Sequence, residues 1–129
     1  MSGETDLSRL MQNIQLELIE SEFVFANLEE EQINKLNPIC TFTEKEGTSV
    51  ILNRNEADLN SVQYESVFRM ITLNIHSSLN AVGFLAKITG ELTKYNIGVN
   101  PVSAYYHDHL FVPVDRAEEA VNILSQLKK

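Results

Sequence analysis

The stretch at residues 67–75 carries apolar side chains on both sides of its alternating pattern. Val67, Leu73 and Ile75 lie on one side, and Phe68 and Met70 lie on the other. A strand that is apolar on both faces is typical of the interior of a sheet. The stretch is therefore predicted to be a central strand.

A helix is predicted next, over residues 79–95, because its apolar residues recur at helical spacing. These residues are Val82, Leu85, Ala86, Ile88 and Leu92. Asn96 stands where a left-handed residue typically ends a helix. A last helix is predicted after residues 115–118, which form a capping box with Asp115 in place of Ser or Thr.

Two strands are predicted between these helices, at residues 97–106 and 110–114, around a polar tip at residues 107–109. Pro101 lacks the amide hydrogen that a sheet ladder needs, so its strand is expected at an edge or with a bulge. One of the two adjacent tyrosines, Tyr105 or Tyr106, is expected to be buried in the core. Residues 66–129 thus follow the order strand, helix, strand, strand, helix.

The first half repeats this order in compressed form, although no sequence repeat accompanies it. A strand is predicted at residues 22–28, followed by a short helix that begins at three glutamates and ends near Leu36. A hairpin follows, with strands at residues 39–43 and 49–53. Residues 55–61 are either a helical turn or a linker. A helix near residues 6–13 precedes all of these, and residues 14–18 are either extended or its last turns.

Charge divides the chain in the same place. The 129 residues carry 18 acidic and 10 basic side chains, and the net negative charge belongs to residues 1–65, which have 13 acidic and 4 basic residues. This balance argues against a nucleic-acid groove. No apolar run approaches the roughly 18 residues of a membrane span, and no secretory signal is visible. The single cysteine, Cys40, is expected in the core, so the sequence predicts a cytoplasmic protein without membrane or nucleic-acid partners.

Two segments contain residues that suit the binding of a ligand or a metal ion. Residues 77–83 join the central strand to a helix N-terminus, where free amides suit a carboxylate or phosphate; plain helix capping by Ser78 or Asn80 is the alternative. Residues 107–109 contain two histidines around Asp108, and three interpretations stay open: a polar hairpin tip, a metal site, or a carboxylate that binds a ligand's cation. No cofactor motif is present, and no cofactor, metal or catalytic residue is predicted.

The second half resembles an ACT domain, a small ligand-binding module of amino-acid metabolism. The resemblance rests on residues 69–73, 77–83, 97–99 and 103–114, and the last block is similar to that of small bacterial proteins with paired ACT units. In the first half mainly residues 22–25 match. Asn80 stands where many ACT domains have Asp, which removes a charge from the expected site.

The resemblance implies an α+β fold of two ferredoxin-like ACT units in tandem, with antiparallel sheets, helices on one face and a degenerate first unit. The expected divisions are an N-terminal extension (1–21), the degenerate unit (22–64) and an ACT domain (65–129). The implied ligand-binding residues are Ser77, Ser78, Asn80, Val82 and Gly83 around the ligand's backbone atoms, and Ser103, Tyr105 and Asp108 around its side chain.

The implied function is a non-catalytic regulatory module that senses an amino acid, forms a homo-oligomer and acts on an unknown protein partner. Two alternatives stay open. One is a small transferase-type enzyme with His107 as general base, and the other is a purely structural assembly domain.

Overall fold

The fold is taken from a computed structural model that describes residues 6–75 and 80–128. Its chain divides into two compact units. The central unit is Ser21–Phe68, and the composite unit joins Met1–Glu20 to Arg69–Lys129. The domain bounds predicted from the sequence (1–21, 22–64 and 65–129) are not tested by this division and remain a prediction. No helix within the described residues is long and apolar enough to cross a bilayer.

The helices and strands follow one another along the chain as α1 Leu7–Asn13, β1 Leu16–Leu28, α2 Glu30–Ile33, β2 Cys40–Glu44, β3 Gly47–Asn53, α3 Arg54–Leu59, β4 Phe68–Leu73, α4 Phe84–Thr93, β5 Asn100–Ser103, β6 Asp108–Pro113 and α5 Ala117–Ser125. Short 3-10 helices at Val114–Arg116 and Gln126–Lys128 flank α5. Residues 14–18, which the sequence left open, are mostly extended, because β1 starts at Leu16.

Three antiparallel strands form the sheet of the central unit, in the order β2-β3-β1. Its core consists of Val24, Leu28, Leu36, Val50, Leu52, Ala57 and Val62. The predicted hairpin is confirmed, with its turn at Lys45 and Glu46. Gly47 follows with φ +139°, and a Cβ there would lie 2.4 Å from Asn27 Oδ1, so only glycine fits without displacement.

The two helices of the central unit are fixed by side-chain caps. The Glu29 amide donates to Gln32 Oε1 over 3.1 Å at the start of α2. Asn53 accepts from the Asn55 amide over 2.8 Å and caps α3, so residues 55–61 are mostly helical. Arg54 then bonds Glu22 on β1 over 2.8 Å, which holds α3 on its sheet.

The composite unit orders its strands β1-β4-β6-β5, so the predicted central strand does lie inside the sheet. Residues Ile71 and Leu73 of β4 and Leu110 and Val112 of β6 pack with the helices. The helices contribute Leu10, Met11, Ile14, Phe84, Ile88, Leu92, Ala117, Ala120 and Leu124. Strand β5, which carries Pro101, is at the edge as expected.

Three local predictions for this unit are wrong. Helix α4 begins at Phe84 instead of residue 79, because Gly83 adopts φ +85° and interrupts the helical backbone. The predicted capping box at residues 115–118 does not form, because residues 114–116 make a 3-10 turn and Arg116 precedes α5 without a side-chain cap. Tyr105 and Tyr106 are both exposed, at 54% and 61%, instead of one being buried. The left-handed Asn96 is confirmed by its φ of +59°.

Candidate functional site

One end of the composite unit collects most of the predicted site residues that the structure describes. Thr72, near the end of β4, and His109, near the start of β6, are joined by a 3.0 Å contact between Thr72 Oγ1 and His109 Nδ1. The connection from β4 to α4 and the turn between β5 and β6 therefore leave the sheet at the same end. We call this the β4-exit end.

Asp108 is the first residue of β6 and is only 6% exposed. It alternates with Leu110 and Val112, which pack against the helices, so its carboxylate lies on the helix-covered side. Ser103 is its partner across the β5–β6 ladder. Asp108 and Thr72 are the buried polar or charged residues among those described. A buried carboxylate is costly without compensating contacts, and such groups are concentrated at binding sites.

His109 lies on the opposite side of β6, beside Thr72. Burial lowers the pKa of His109, and the neighbouring His107 lowers it further, while Asp108 partly opposes both effects. The two imidazole rings are 6.3 Å apart. The predicted polar tip at residues 107–109 is therefore partly wrong. Asp108 and His109 already belong to β6, and residues 104–107 make the turn, because Asp108 pairs with Ser103 in the ladder.

The connection from β4 to α4 brings Asn80, Val82 and Gly83 to the β4-exit end. Asn80 is exposed, and Val82 is 85% exposed. Gly83 is the N-cap of α4, so the free amides at this helix start belong to the residues that follow it. Ser77 and Ser78 lie outside the described residues. The N-cap position of α4 predicted for Ser78 or Asn80 is instead occupied by Gly83.

The turn between β5 and β6 presents two exposed tyrosines at the same end. Tyr105 and Tyr106 contact each other edge to face, with ring centroids 4.9 Å apart and an interplanar angle of 88°. Ser103, the last residue of β5, is also exposed. Aromatic faces at this position suit a cation or an apolar chain.

Among the described residues, two cavities lie away from the β4-exit end. One of about 520 Å³ is bordered by the C-terminal part of α4 and the start of β5, including Asn96 and Pro101. Another, of about 230 Å³, lies in the central unit between α2 and the chain after α3. Neither is lined by a predicted site residue. Within the described residues no three His, Cys, Asp or Glu side chains cluster in a way that suits a metal ion.

Sequence reasoning missed the Thr72–His109 pair and the contacts of the N-terminal residues with this end. The pair joins side chains 37 positions apart. No motif or spacing signals such a contact in a single sequence. Only the register of β4 against β6 would have shown it.

Two models of ACT-domain families match the chain, one over residues 2–69 and the other over residues 65–126. The chain belongs to the ACT-domain family. The crystal structure of a protein of unknown function from Vibrio cholerae, described as a possible transport protein, is 32% identical to it. The two match with a TM-score of 0.86 over 95% of this chain and 96% of that one.

Two aspartate kinase structures share the ACT fold at low identity. The ligand-free regulatory subunit from Thermus thermophilus is 7% identical, with a TM-score of 0.68 over 92% of this chain and 99% of that one. The aspartate kinase from Clostridium acetobutylicum is 11% identical, with a TM-score of 0.63 over 89% of this chain and 34% of that one. A search of curated proteins finds no significant match.

These matches confirm the tandem ACT architecture expected from the resemblance. The strand orders within the two units agree with it, because each has the ferredoxin-like pattern of antiparallel strands with helices between them. ACT membership supports a regulatory, ligand-binding role for the chain. The two ACT models meet at residues 65–69, where β4 begins.

Proposed function

We propose that this chain is a non-catalytic regulatory module that binds an amino acid at the β4-exit end of the composite unit. The observation that carries the proposal is the burial of Asp108. Its carboxylate lies on the helix-covered side of the sheet, at the end where the β4–α4 connection and the β5–β6 turn meet. A fixed carboxylate in such a position suits the cationic group of a small ligand.

The ligand's backbone atoms are assigned to Ser77, Ser78, Asn80, Val82 and Gly83. A carboxylate is favoured near the start of α4 by the free amides of the first turn and by the helix dipole. Gly83 supports this assignment, because it precedes α4 in a left-handed conformation and has no side chain that would obstruct a ligand at the helix start. Among the described residues, Leu7 is the one with an atom within 4 Å of the Cβ position at Gly83.

The ligand's side chain is assigned to Ser103, Tyr105 and Asp108. Asp108 favours a cationic side chain, and the exposed ring of Tyr105, held against Tyr106, offers an aromatic face beside it. We therefore expect lysine or arginine to bind more tightly than a neutral amino acid of similar length.

The ligand's effect is proposed to act on a protein partner, through a cytoplasmic homo-oligomer. The regulatory subunit from Thermus thermophilus supports this, because it is a separate regulatory chain that matches this one over almost its whole length. A ligand that binds one state more tightly than another shifts the population toward that state. A purely structural assembly domain would bind no amino acid at all.

The transferase alternative is disfavoured by the position of its groups. Thr72 and His109 have the 3.0 Å spacing of a nucleophile and its base. Thr72 is nevertheless buried within β4, between neighbouring strands, where a substrate carbonyl has no approach. His107 lies in the turn, and its ring contacts the ring of His109.

Titration calorimetry against the twenty amino acids tests the proposal. We expect a cationic amino acid to bind and Asp108→Asn to weaken it by about tenfold to a hundredfold, because a charge-assisted hydrogen bond is lost. Asp115→Asn is the matched control, since Asp115 is exposed in the same unit and outside the site. Absence of binding by every amino acid at millimolar concentration would refute the sensor function.

A further inference from the structure

The central unit has a cavity of its own, lined by none of the residues of the proposed ligand site. Its volume is about 230 Å³, and it is lined by Glu31, Gln32, Lys35, Leu36, Asn60 and Val62. The first four come from α2 and the turn after it, and the last two follow α3. Pockets for drug-sized ligands are larger, at roughly 300–1,000 Å³, so this cavity fits one small metabolite.

Hydrogen bonds within the central unit hold the two walls of this cavity together. The Asn37 amide, directly after Leu36, donates to Glu56 Oε2 over 2.8 Å, which ties the end of the first wall to α3. The Val62 amide donates to the carbonyl oxygen of Ala57 over 2.9 Å, which ties the second wall to the same helix. Leu36 and Val62 are each 8% exposed and belong to the core of the unit. The cavity therefore has an apolar floor that is formed before a ligand binds.

Two side-chain amides on the border of the cavity are oriented by hydrogen bonds to the backbone. Gln32 Oε1 accepts from the Glu29 amide over 3.1 Å, so Nε2 of Gln32 is the end that can donate to a ligand. Asn60 Nδ2 donates to the carbonyl oxygen of Glu56 over 2.9 Å, so Oδ1 of Asn60 is the end that can accept. The border thus offers one oriented donor and one oriented acceptor.

The border also carries one charge of each sign. Glu31 and Lys35 are four positions apart, and both are exposed. Side chains at this spacing commonly form an ion pair on a helix. Across the part of the chain that the structure describes, neither of the two takes part in an ion pair. Both charges are therefore available to a ligand that carries one charge of each sign itself.

We propose that this cavity binds a free neutral amino acid with an apolar side chain, as a second ligand site of the chain. The ligand's carboxylate is assigned to Lys35 and Gln32, which supply a positive charge and an oriented donor. Its ammonium group is assigned to Glu31 and Asn60, which supply a negative charge and an oriented acceptor. Each charge of the zwitterion then meets groups of the complementary kind.

The ligand's side chain is assigned to the apolar floor at Leu36 and Val62, where its removal from water adds to the affinity. The larger cavity, in the composite unit, has no charged residue on its border among the described residues, so nothing there selects a zwitterion. The inference does not depend on the proposed function, which concerns a cationic ligand and Asp108.

Titration of the full chain with L-leucine tests the inference, with NMR shifts measured at the backbone amides of Gln32, Leu36, Asn60 and Val62. We expect these amides to shift with a dissociation constant of about 1 mM, since the charged groups are exposed to solvent. Two analogues divide the zwitterion, because leucinamide lacks the carboxylate and isocaproate lacks the ammonium group. Each should bind at least about threefold more weakly than L-leucine.

Two substitutions remove the charges of the border while keeping the length of each side chain. Lys35→Met and Glu31→Gln should each weaken L-leucine binding by about threefold to tenfold. In Lys35→Met, L-leucine should also lose most of its advantage over leucinamide, because the carboxylate has lost its charged partner. Lys45→Met and Glu30→Gln are the matched controls, since both residues are exposed in the same unit and do not line the cavity.

The inference is wrong if L-leucine at about 10 mM moves none of the four amides, or if leucinamide binds as tightly as L-leucine. It is also wrong if Asp108→Asn removes the shifts, because L-leucine then acts through the proposed site of the composite unit. Failure of the proposed function is a different result, namely that no cationic amino acid binds in a way that depends on Asp108 while L-leucine still shifts the four amides.

Discussion

The two units differ in the link between a strand and the helix that follows it, β1 to α2 in the central unit and β4 to α4 in the composite unit. In the central unit, one residue, Glu29, separates β1 from α2, and α2 has four residues. In the composite unit, residues 74–83 separate β4 from α4, and α4 has ten residues. The same order of elements therefore gives a tight turn in one unit and a long connection in the other.

This difference shows why a ligand site is expected in the composite unit. A tight turn tied by the Glu29 amide to Gln32 leaves no free loop at this link to surround a small molecule. The longer connection supplies exposed residues next to the start of an amphipathic helix. The central unit instead carries most of the net negative charge, because its nine acidic residues face three basic ones, whereas the composite unit has nine acidic and seven basic residues.

The strongest test of the division concerns α1, which belongs to the composite unit although the central unit follows it in the sequence. Leu10→Ala should lower the free energy of unfolding by about 2–4 kcal/mol, because a fully buried side chain of the composite core is replaced by a cavity. Denaturant unfolding measures this, with Leu59→Ala as control because Leu59 is 85% exposed. A loss below about 1 kcal/mol would show that α1 does not belong to that core.

A pair of glycines compares the units directly. Gly47→Ala in the central unit should cost about 2–3 kcal/mol, because φ is positive and the new Cβ would meet Asn27. Gly98→Ala in the composite unit should change stability by less than about 1 kcal/mol, since no atom of the described residues lies within 4 Å of its Cβ position. Equal costs in thermal unfolding would contradict this contrast.

The smallest expected effect is a pH dependence confined to the composite unit. His109 has a pKa below its ordinary 6.5 in the folded state, so the unfolded chain binds its proton more readily. Stability should be complete above about pH 6.5 and should fall as the pH drops through the folded pKa. The central unit, residues 21–68, contains no histidine, so it has no imidazole that could titrate in this pH range.

Unfolding measured between about pH 7.5 and 5 tests this effect, with His109→Gln as the variant. Gln retains a hydrogen-bonding group for Thr72 but does not titrate, so the decline should become shallower. His107→Gln is the control, and it should keep most of the decline because His107 is only the second cause of the shift. An unchanged decline in His109→Gln would assign the effect to other groups.

Periodicity and turn chemistry predicted most of the elements, because they act over a few neighbouring residues. The central position of β4, the edge position of β5 and the hairpin turn at Lys45 and Glu46 all follow from such local patterns. The start of α4 was mispredicted for a related reason. A glycine accepts both helical and left-handed backbone, and the sequence alone does not say which one Gly83 adopts.

The candidate site was only partly accessible from the sequence. Resemblance singled out Asp108 before its burial was visible, and burial is what gives that residue its significance. The contacts of Asn74 with Gln15 and Glu17 join positions more than fifty residues apart, so no local pattern contains them. Long-range register decides such contacts, and a single sequence carries little information about it.

The composite unit is built from the two ends of the described chain, with the central unit between them. During synthesis the residues of α1 leave the ribosome well before their partners Phe84, Ile88 and Leu124. At usual rates of translation this interval is on the order of seconds. During this interval the contiguous central unit has been synthesised completely and can fold. The apolar side chains of α1 stay exposed until their partners in the composite core have been synthesised. The apolar side chains of α1 are therefore the part of the composite core that is expected to need the longest protection from aggregation.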